Sequence, residues 1–218
     1  MAIVTSGRHY TDLVDSYLQL SKDAQRALLL TALVHRFKLL MPASVLKQLV
    51  TNGWDEFIEK IVKAEGKGLL IQEDRPHYGT QPDLVFRTKH PLIAEKLVQH
   101  FLPSIDKQVD QYERILVSLD PGQTNSYLAT NLLRTVAKQA IFNDAQIDRL
   151  FEAGYSKLSD DPYFLLYYAI NLQHKRTIQD LKKALEVIIY AESLLEWRNH
   201  RFIHRRGVIS FELALLYF

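Results

Sequence analysis

Apolar residues recur at intervals of three and four along the first part of the chain, which is the spacing of amphipathic helices. A wide apolar face runs from Asp23 to Leu40, and Ser21 before it is a suitable N-cap. A second short helix, Ala43 to Val50, follows Pro42, and a third extends from about Trp54 to Ala64. The pattern therefore predicts three successive helices.

Two short apolar runs follow Gly68, at residues 69–71 and 84–86, and the stretch between them is polar and contains proline and glycine. This pattern is typical of a β-hairpin with a long tip. A fourth helix follows Pro91 and ends before Pro103. Three helices, a two-stranded wing and a closing helix predict a winged helix-turn-helix domain at residues 21–102, after a connector helix or linker at residues 1–20.

The rest of the chain has the pattern of helices alone. They are expected near residues 105–119, 124–138, 143–156, 162–174, 177–195 and 200–218. Ala184, Ile188 and Ala191 have the small-large-small spacing with which the second helix of a tetratricopeptide repeat packs on its neighbours, and Gly207 is a candidate close-packing site for a next repeat. Residues 103–218 are therefore predicted to form a tetratricopeptide-like antiparallel helical array. The alternative is a non-repetitive helical bundle.

The segment from Phe211 to Phe218 is strongly apolar, and the sequence offers no later helix to cover it. A capping repeat would have a polar outer face instead. We therefore expect one of two situations. Either the chain is part of a longer protein and the array is truncated, or this end of the array serves for association.

Composition supports a mainly α fold and excludes several classes of function. Eight glycines and seven prolines among 218 residues leave few turns, and zero cysteines exclude disulfides and cysteine-based zinc sites. Zero cysteines are also compatible with a reducing cytosol, and no apolar run is long enough to cross a membrane, so we expect a cytoplasmic protein without a membrane span. The chain has no phosphate-binding Gly-x4-Gly-Lys-Ser/Thr loop, catalytic triad or paired carboxylates. It is therefore expected to be no enzyme by itself and to hold no cofactor.

The most informative candidate site is the segment from Phe86 to Glu95, which joins the predicted wing to the closing helix. His90 in this segment can present its ring from a rigid turn. The helix N-terminus beside it favours an anion such as a phosphate. The alternative is a hydrogen-bonded histidine with a purely structural role.

A second candidate is the basic cluster between residues 198 and 206. At helical spacing Arg198, Arg201 and Arg205 share a face, which suits an acidic peptide or a nucleic-acid backbone. The alternative is a solvated surface that nearby glutamates partly balance. His200 and His204 have the spacing of a metal pair, but no third ligand lies nearby in the sequence, so no metal site is predicted.

Winged helices often bind DNA through their third helix, and the charges of that helix bear on this function. Asp55, Glu56, Glu59 and Glu65 oppose only two lysines there, so the helix would repel phosphates. A DNA-binding transcriptional regulator with a helical partner-binding domain is therefore the alternative function, and nucleic acid is the less favoured partner.

The runs Arg8 to Val14, Leu28 to His35 and Phe86 to Glu95 resemble the winged-helix region of STAND-class signalling NTPases, the NB-ARC- and NACHT-like switch proteins. Their winged helix ends in a Met-His-Asp-type motif, whose histidine touches the β-phosphate of bound ADP. Here Lys89, His90 and Pro91 stand at these three places, so the resemblance assigns nucleotide sensing to His90. Lysine replaces the methionine of the motif, and proline replaces its acidic residue.

The same resemblance implies a function for the whole chain. In that family a helical-repeat sensor follows the winged helix, as it does here. The chain would be a regulatory fragment without the nucleotide-binding core. Its winged helix would dock on the nucleotide-binding domain of the parent protein, which holds ADP or ATP. Its helical array would bind a protein or peptide ligand.

Overall fold

A computed structural model describes residues 12–50, 53–66, 68–74, 84–119 and 125–217. Most of these residues are helical, and three short strands form one antiparallel sheet, which confirms the mainly α fold class. The chain divides into two compact units, of which the first ends at Ser118 and the second begins at Leu119. The predicted hairpin tip at residues 75–83 and the start of the connector at residues 1–11 lie outside the described residues.

The first unit contains the three strands and six helical segments among its described residues. In chain order these are α1 (12–18), α2 (Lys22–His35), β1 (Met41–Pro42), α3 (Ala43–Val50), α4 (Trp54–Glu56, continued by π-helical turns over Phe57–Glu65), β2 (Leu70–Asp74), β3 (Leu84–Thr88), α5 (Pro91–Phe101) and α6 (Ile105–Val117). Helix α2 begins where the sequence predicts, because the hydroxyl of Ser21 accepts from the backbone N–H of Ala24. It ends five residues earlier than predicted, and Lys38 just beyond it has a φ of 61°.

The sheet has the strand order β1-β3-β2, and both pairings are antiparallel. The pairing of β2 with β3 confirms the predicted hairpin. Strand β1, in which Met41 pairs with Phe86, was not predicted. Behind the sheet, the buried ring of Phe86 meets the ring of Phe57 edge to face, with their centroids 5.6 Å apart. The core of this unit therefore lies between the sheet and its helices.

Helix α6 packs within the first unit, although the sequence places the domain boundary before it, at residue 103. The hydroxyl of the fully buried Tyr112 donates to the carbonyl of Leu33 on α2, at 3.0 Å. Its ring also stacks with Phe37, with centroids 6.2 Å apart. These contacts place the division of the chain after α6 rather than before it.

The second unit is made of helices throughout its described residues. They are α7 (Asn125–Val136), α8 (Asp144–Leu158), α9 (Pro162–His174), α10 (Ile178–Ser193) and α11 (His200–Leu215), close to the predicted bounds. Four of them begin at side-chain N-caps, which are Asn143, Asp161, Thr177 and Asn199. No helix in the described part of the chain is long and apolar enough to cross a membrane.

Small residues bring these helices close together at two places. Ala184, Ile188 and Ala191 are fully buried on α10, as their spacing predicts. Among the described residues no helix packs closely on Gly207, where a Cβ would meet nothing within 4 Å, so its role as a close-packing site for a next repeat stays a prediction. The close-packing glycine is Gly154 on α8, where a Cβ would lie 2.8 Å from Cε2 of Phe164 on α9.

Candidate functional site

His90 lies between β3 and α5 and uses its own ring to cap the helix. Its backbone is extended, with φ −155° and ψ 145°, and its Nδ1 atom accepts from the backbone N–H of Leu92 at 3.1 Å. A neutral imidazole that accepts at Nδ1 carries its proton on Nε2. The exposed ring therefore has one further polar atom, an Nε2–H donor held in a defined orientation.

The N-terminus of α5 has its first backbone donors engaged, which corrects the expectation of an anion site built from them. Leu92 donates to the ring of His90, and Ile93 and Ala94 donate to its carbonyl at 3.0 and 3.1 Å. Pro91 has no N–H. An anion beside this turn would therefore meet the Nε2–H group of His90 rather than free backbone N–H groups.

A buried hydrogen-bond chain holds this turn from behind. The hydroxyl of Thr88 donates to the carbonyl of His90 at 3.1 Å, and it lies 2.7 Å from Nδ1 of His35 on α2. Because the hydroxyl has a single proton, Nδ1–H of His35 is the donor in the second bond. Burial lowers the pKa of His35, and the nearby guanidinium of Arg87 lowers it further.

Arg87 fastens the same turn from the sheet side. Its Nη1 atom donates to the carbonyls of Thr88 and Lys89, at 3.2 and 3.3 Å, and its Nε atom donates to Glu73 on β2. One guanidinium thus bridges the two strands of the hairpin and the turn that carries His90. The backbone of the turn that carries His90 is therefore anchored from both the sheet and the core.

A second arginine fixes helix α5 itself. The side chain of Arg36 is 6% exposed, and its Nε atom lies 3.1 Å from Oε2 of Glu95 on α5. Its Nη1 atom donates to Gln108 on α6 at 2.8 Å, and Gln108 donates in turn to the carbonyl of Leu102. Sequence reasoning missed these supports of His90, since partners 53 to 72 positions apart leave no local spacing signal.

The basic cluster is divided by the fold. Of the three arginines predicted to share a face, Arg201 and Arg205 lie on α11, whereas Arg198 precedes its N-cap, so the three do not share one helical face. Arg205 donates to Gln173 at 2.8 Å. Arg198 and Arg201 are exposed and have no side-chain partner among the described residues. The indole of Trp197, the residue before Arg198, is 73% exposed, and the sequence analysis did not single it out.

Helix α4 is the third helix of the predicted winged-helix domain, and glutamates on the same helix pair with its lysines. Lys60 pairs with Glu56 at 3.0 Å and Lys63 pairs with Glu59 at 2.6 Å. The carboxylate of Glu65 accepts from the backbone N–H of Ser21 at 2.7 Å. The acidic residues thus dominate the exposed face of this helix, which disfavours contact with a nucleic-acid backbone.

Among the described residues, no group of three or more histidine, aspartate or glutamate side chains is placed to hold a metal ion. No protein-family model matches the chain, and neither a curated protein nor a solved structure shows significant similarity to it. What the chain does must therefore be inferred from its own residues.

Proposed function

We propose that this chain is a non-catalytic regulatory part of a STAND-like signalling ATPase. Residues 21–102 would be its winged-helix switch, and the helices that follow would be its sensor. The observation that carries the proposal is the ring of His90, whose Nδ1 caps α5 while Nε2–H stays exposed as a donor. A phosphate oxygen of ADP is a suitable acceptor for that donor.

The order of elements supports the winged-helix part of the proposal. From α2 to α5 the first unit has a helix, a strand, two helices, a two-stranded hairpin and a closing helix, and its sheet has the order β1-β3-β2. In this interpretation the hairpin is the wing, and His90 lies where the wing meets the closing helix. This is the place that the family resemblance gives to its nucleotide-sensing histidine.

The proposed mechanism is a shift between two populated states. In the resting state the winged helix docks on the nucleotide-binding domain of the parent protein, and Nε2–H of His90 donates to bound ADP. A protein or peptide ligand on the helical array, with Arg198 and Arg201 as free cationic contacts, favours the undocked state. A ligand shifts this equilibrium only by its difference in affinity for the two states.

The test compares two substitutions of His90 in the full-length parent protein. His90→Ala removes both the cap and the donor, and loss of an N-cap costs about 1 kcal/mol. His90→Ser keeps a capping oxygen close to the backbone and removes the imidazole ring that carries the exposed Nε2–H donor. Both variants should lose bound ADP faster than the wild type. His90→Ser should retain wild-type thermal stability, which separates the sensing role from the structural one.

Unchanged ADP retention in His90→Ser would contradict the proposal and leave His90 as a helix cap. Titration of this chain with duplex DNA is the companion measurement. Binding that weakens steeply with salt would favour the alternative, a DNA-binding transcriptional regulator. The paired lysines of α4 lead us to expect no such binding.

A further inference from the structure

An open groove lies along helix α11 in the second unit. It has a volume of about 660 Å³, and its wall includes Gly207, Phe211 and Leu215 of α11 and Leu181 of α10. Phe211 is 65% exposed and Leu215 is 58% exposed. Helix α11 buries only Phe202 and Ile209 among its described residues, so one side of it remains uncovered.

Gly207 indicates that another helix packs on the uncovered side of α11. It lies in the interior of α11, its φ is not positive, and a Cβ would meet nothing within 4 Å. Glycine at such a position destabilises a helix relative to alanine. Nothing within the described chain uses the space that the missing Cβ leaves, whereas a second helix could pack against the bare backbone.

Two polar side chains in the groove indicate which helix packs there. His204 and Glu212 both line the groove, and neither has a side-chain partner among the described residues. They stand four positions before and four positions after Val208. If a second α11 crossed antiparallel at Val208, His204 of each copy would face Glu212 of the other. Twofold symmetry makes this contact twice.

We propose that α11 is the interface of a symmetric dimer of this chain. The α11 helices of two copies would lie antiparallel, crossing at Gly207 and Val208. Val208 and Phe211, which line the groove near the crossing point, supply the apolar contact, and the two pairs of His204 with Glu212 set the register. This interface is independent of the nucleotide-sensing role of His90 and does not rest on it.

The test measures the dimer dissociation constant of the whole chain by sedimentation over a wide range of protein concentration. His204→Glu places two carboxylates opposite each other, twice per dimer, and should raise the dissociation constant about tenfold or more. Combining His204→Glu with Glu212→Lys places a carboxylate opposite an ammonium group and should return the constant to within about threefold of the wild type.

Ser210→Glu is the matched control, since it introduces the same carboxylate at an exposed position of α11 that does not line the groove, and it should leave the dimer intact. All these residues are exposed or half-buried, so the variants should remain folded by circular dichroism. The proposal is overturned if the wild-type chain stays monomeric at every concentration. A dimer that tolerates His204→Glu, or one that the double substitution does not restore, overturns it equally.

Discussion

Two glycines inside helices of the second unit have opposite surroundings. A Cβ at Gly154 would lie 2.8 Å from Cε2 of Phe164 and 3.2 Å from Cδ1 of Leu133, two side chains with almost no exposed surface. A Cβ at Gly207 would meet nothing within 4 Å. The same substitution should therefore have opposite effects on stability at the two positions.

We expect Gly154→Ala to lower the free energy of unfolding, because overpacking of about 1–3 kcal/mol exceeds the gain in helix propensity. Gly207→Ala should raise it by about 0.5–1 kcal/mol, since only the helix gain remains. Urea denaturation at low protein concentration measures both effects. Stabilisation by Gly154→Ala would mean that Phe164 gives way, and the close packing of α8 on α9 would not hold.

The junction between β3 and α5 depends on a neutral histidine in the core. The folded protein holds the pKa of His35 below its usual value, mainly through burial. The unfolded chain binds a proton at this residue near pH 6.5. The contribution of His35 to stability is therefore fully present above about pH 6.5 and is lost as the pH falls below it.

Removing this ionisable group should flatten that part of the pH profile. We expect His35→Gln to lose less stability than the wild type between about pH 6.5 and pH 5, although its stability at neutral pH is lower. Thermal unfolding at a series of pH values provides the comparison. His174→Gln, at an exposed site, is the control. Parallel profiles for His35→Gln and the wild type would contradict the role of His35.

Elements with local signals were predictable from the sequence. Periodic apolar faces and N-caps such as Ser21 and Asp161 depend on residues within a turn of one another, and the helices of the second unit follow them closely. The hairpin strands were predictable for the same reason. Strand β1 was missed because a strand of two residues is too short to show an alternating apolar pattern. Its partner, Phe86, lies far along the chain from Met41, so no local signal marks the pairing.

The sequence predicted where His90 lies in the fold, but not which side chains support it. The position of His90 follows from the order of strand, turn and helix. Its support by Thr88, His35 and Arg87 depends on which side chains the fold brings together. Likewise, the apolar pattern continues through Phe37 to Leu40, so periodicity alone could not locate the end of α2 at His35.

The boundary between the two units lies after helix α6, and this can be tested by truncation. Helix α6 contributes the buried Tyr112 and the partner of Arg36, Gln108, to the first unit. A truncation to residues 1–118 keeps both, whereas a truncation to residues 1–102, the boundary suggested by sequence, removes both. Loss of a buried aromatic side chain alone costs about 3–5 kcal/mol.

We therefore expect the chain of residues 1–118 to unfold cooperatively in urea. The chain of residues 1–102 should be less stable by about 3 kcal/mol or more, or should fail to fold. Tyr112→Phe in the longer chain removes only the hydroxyl that Leu33 accepts from, and its cost should be smaller, about 1 kcal/mol. Equal stability of the two truncated chains would place the boundary before α6, and helix α6 would then belong with the array that follows it.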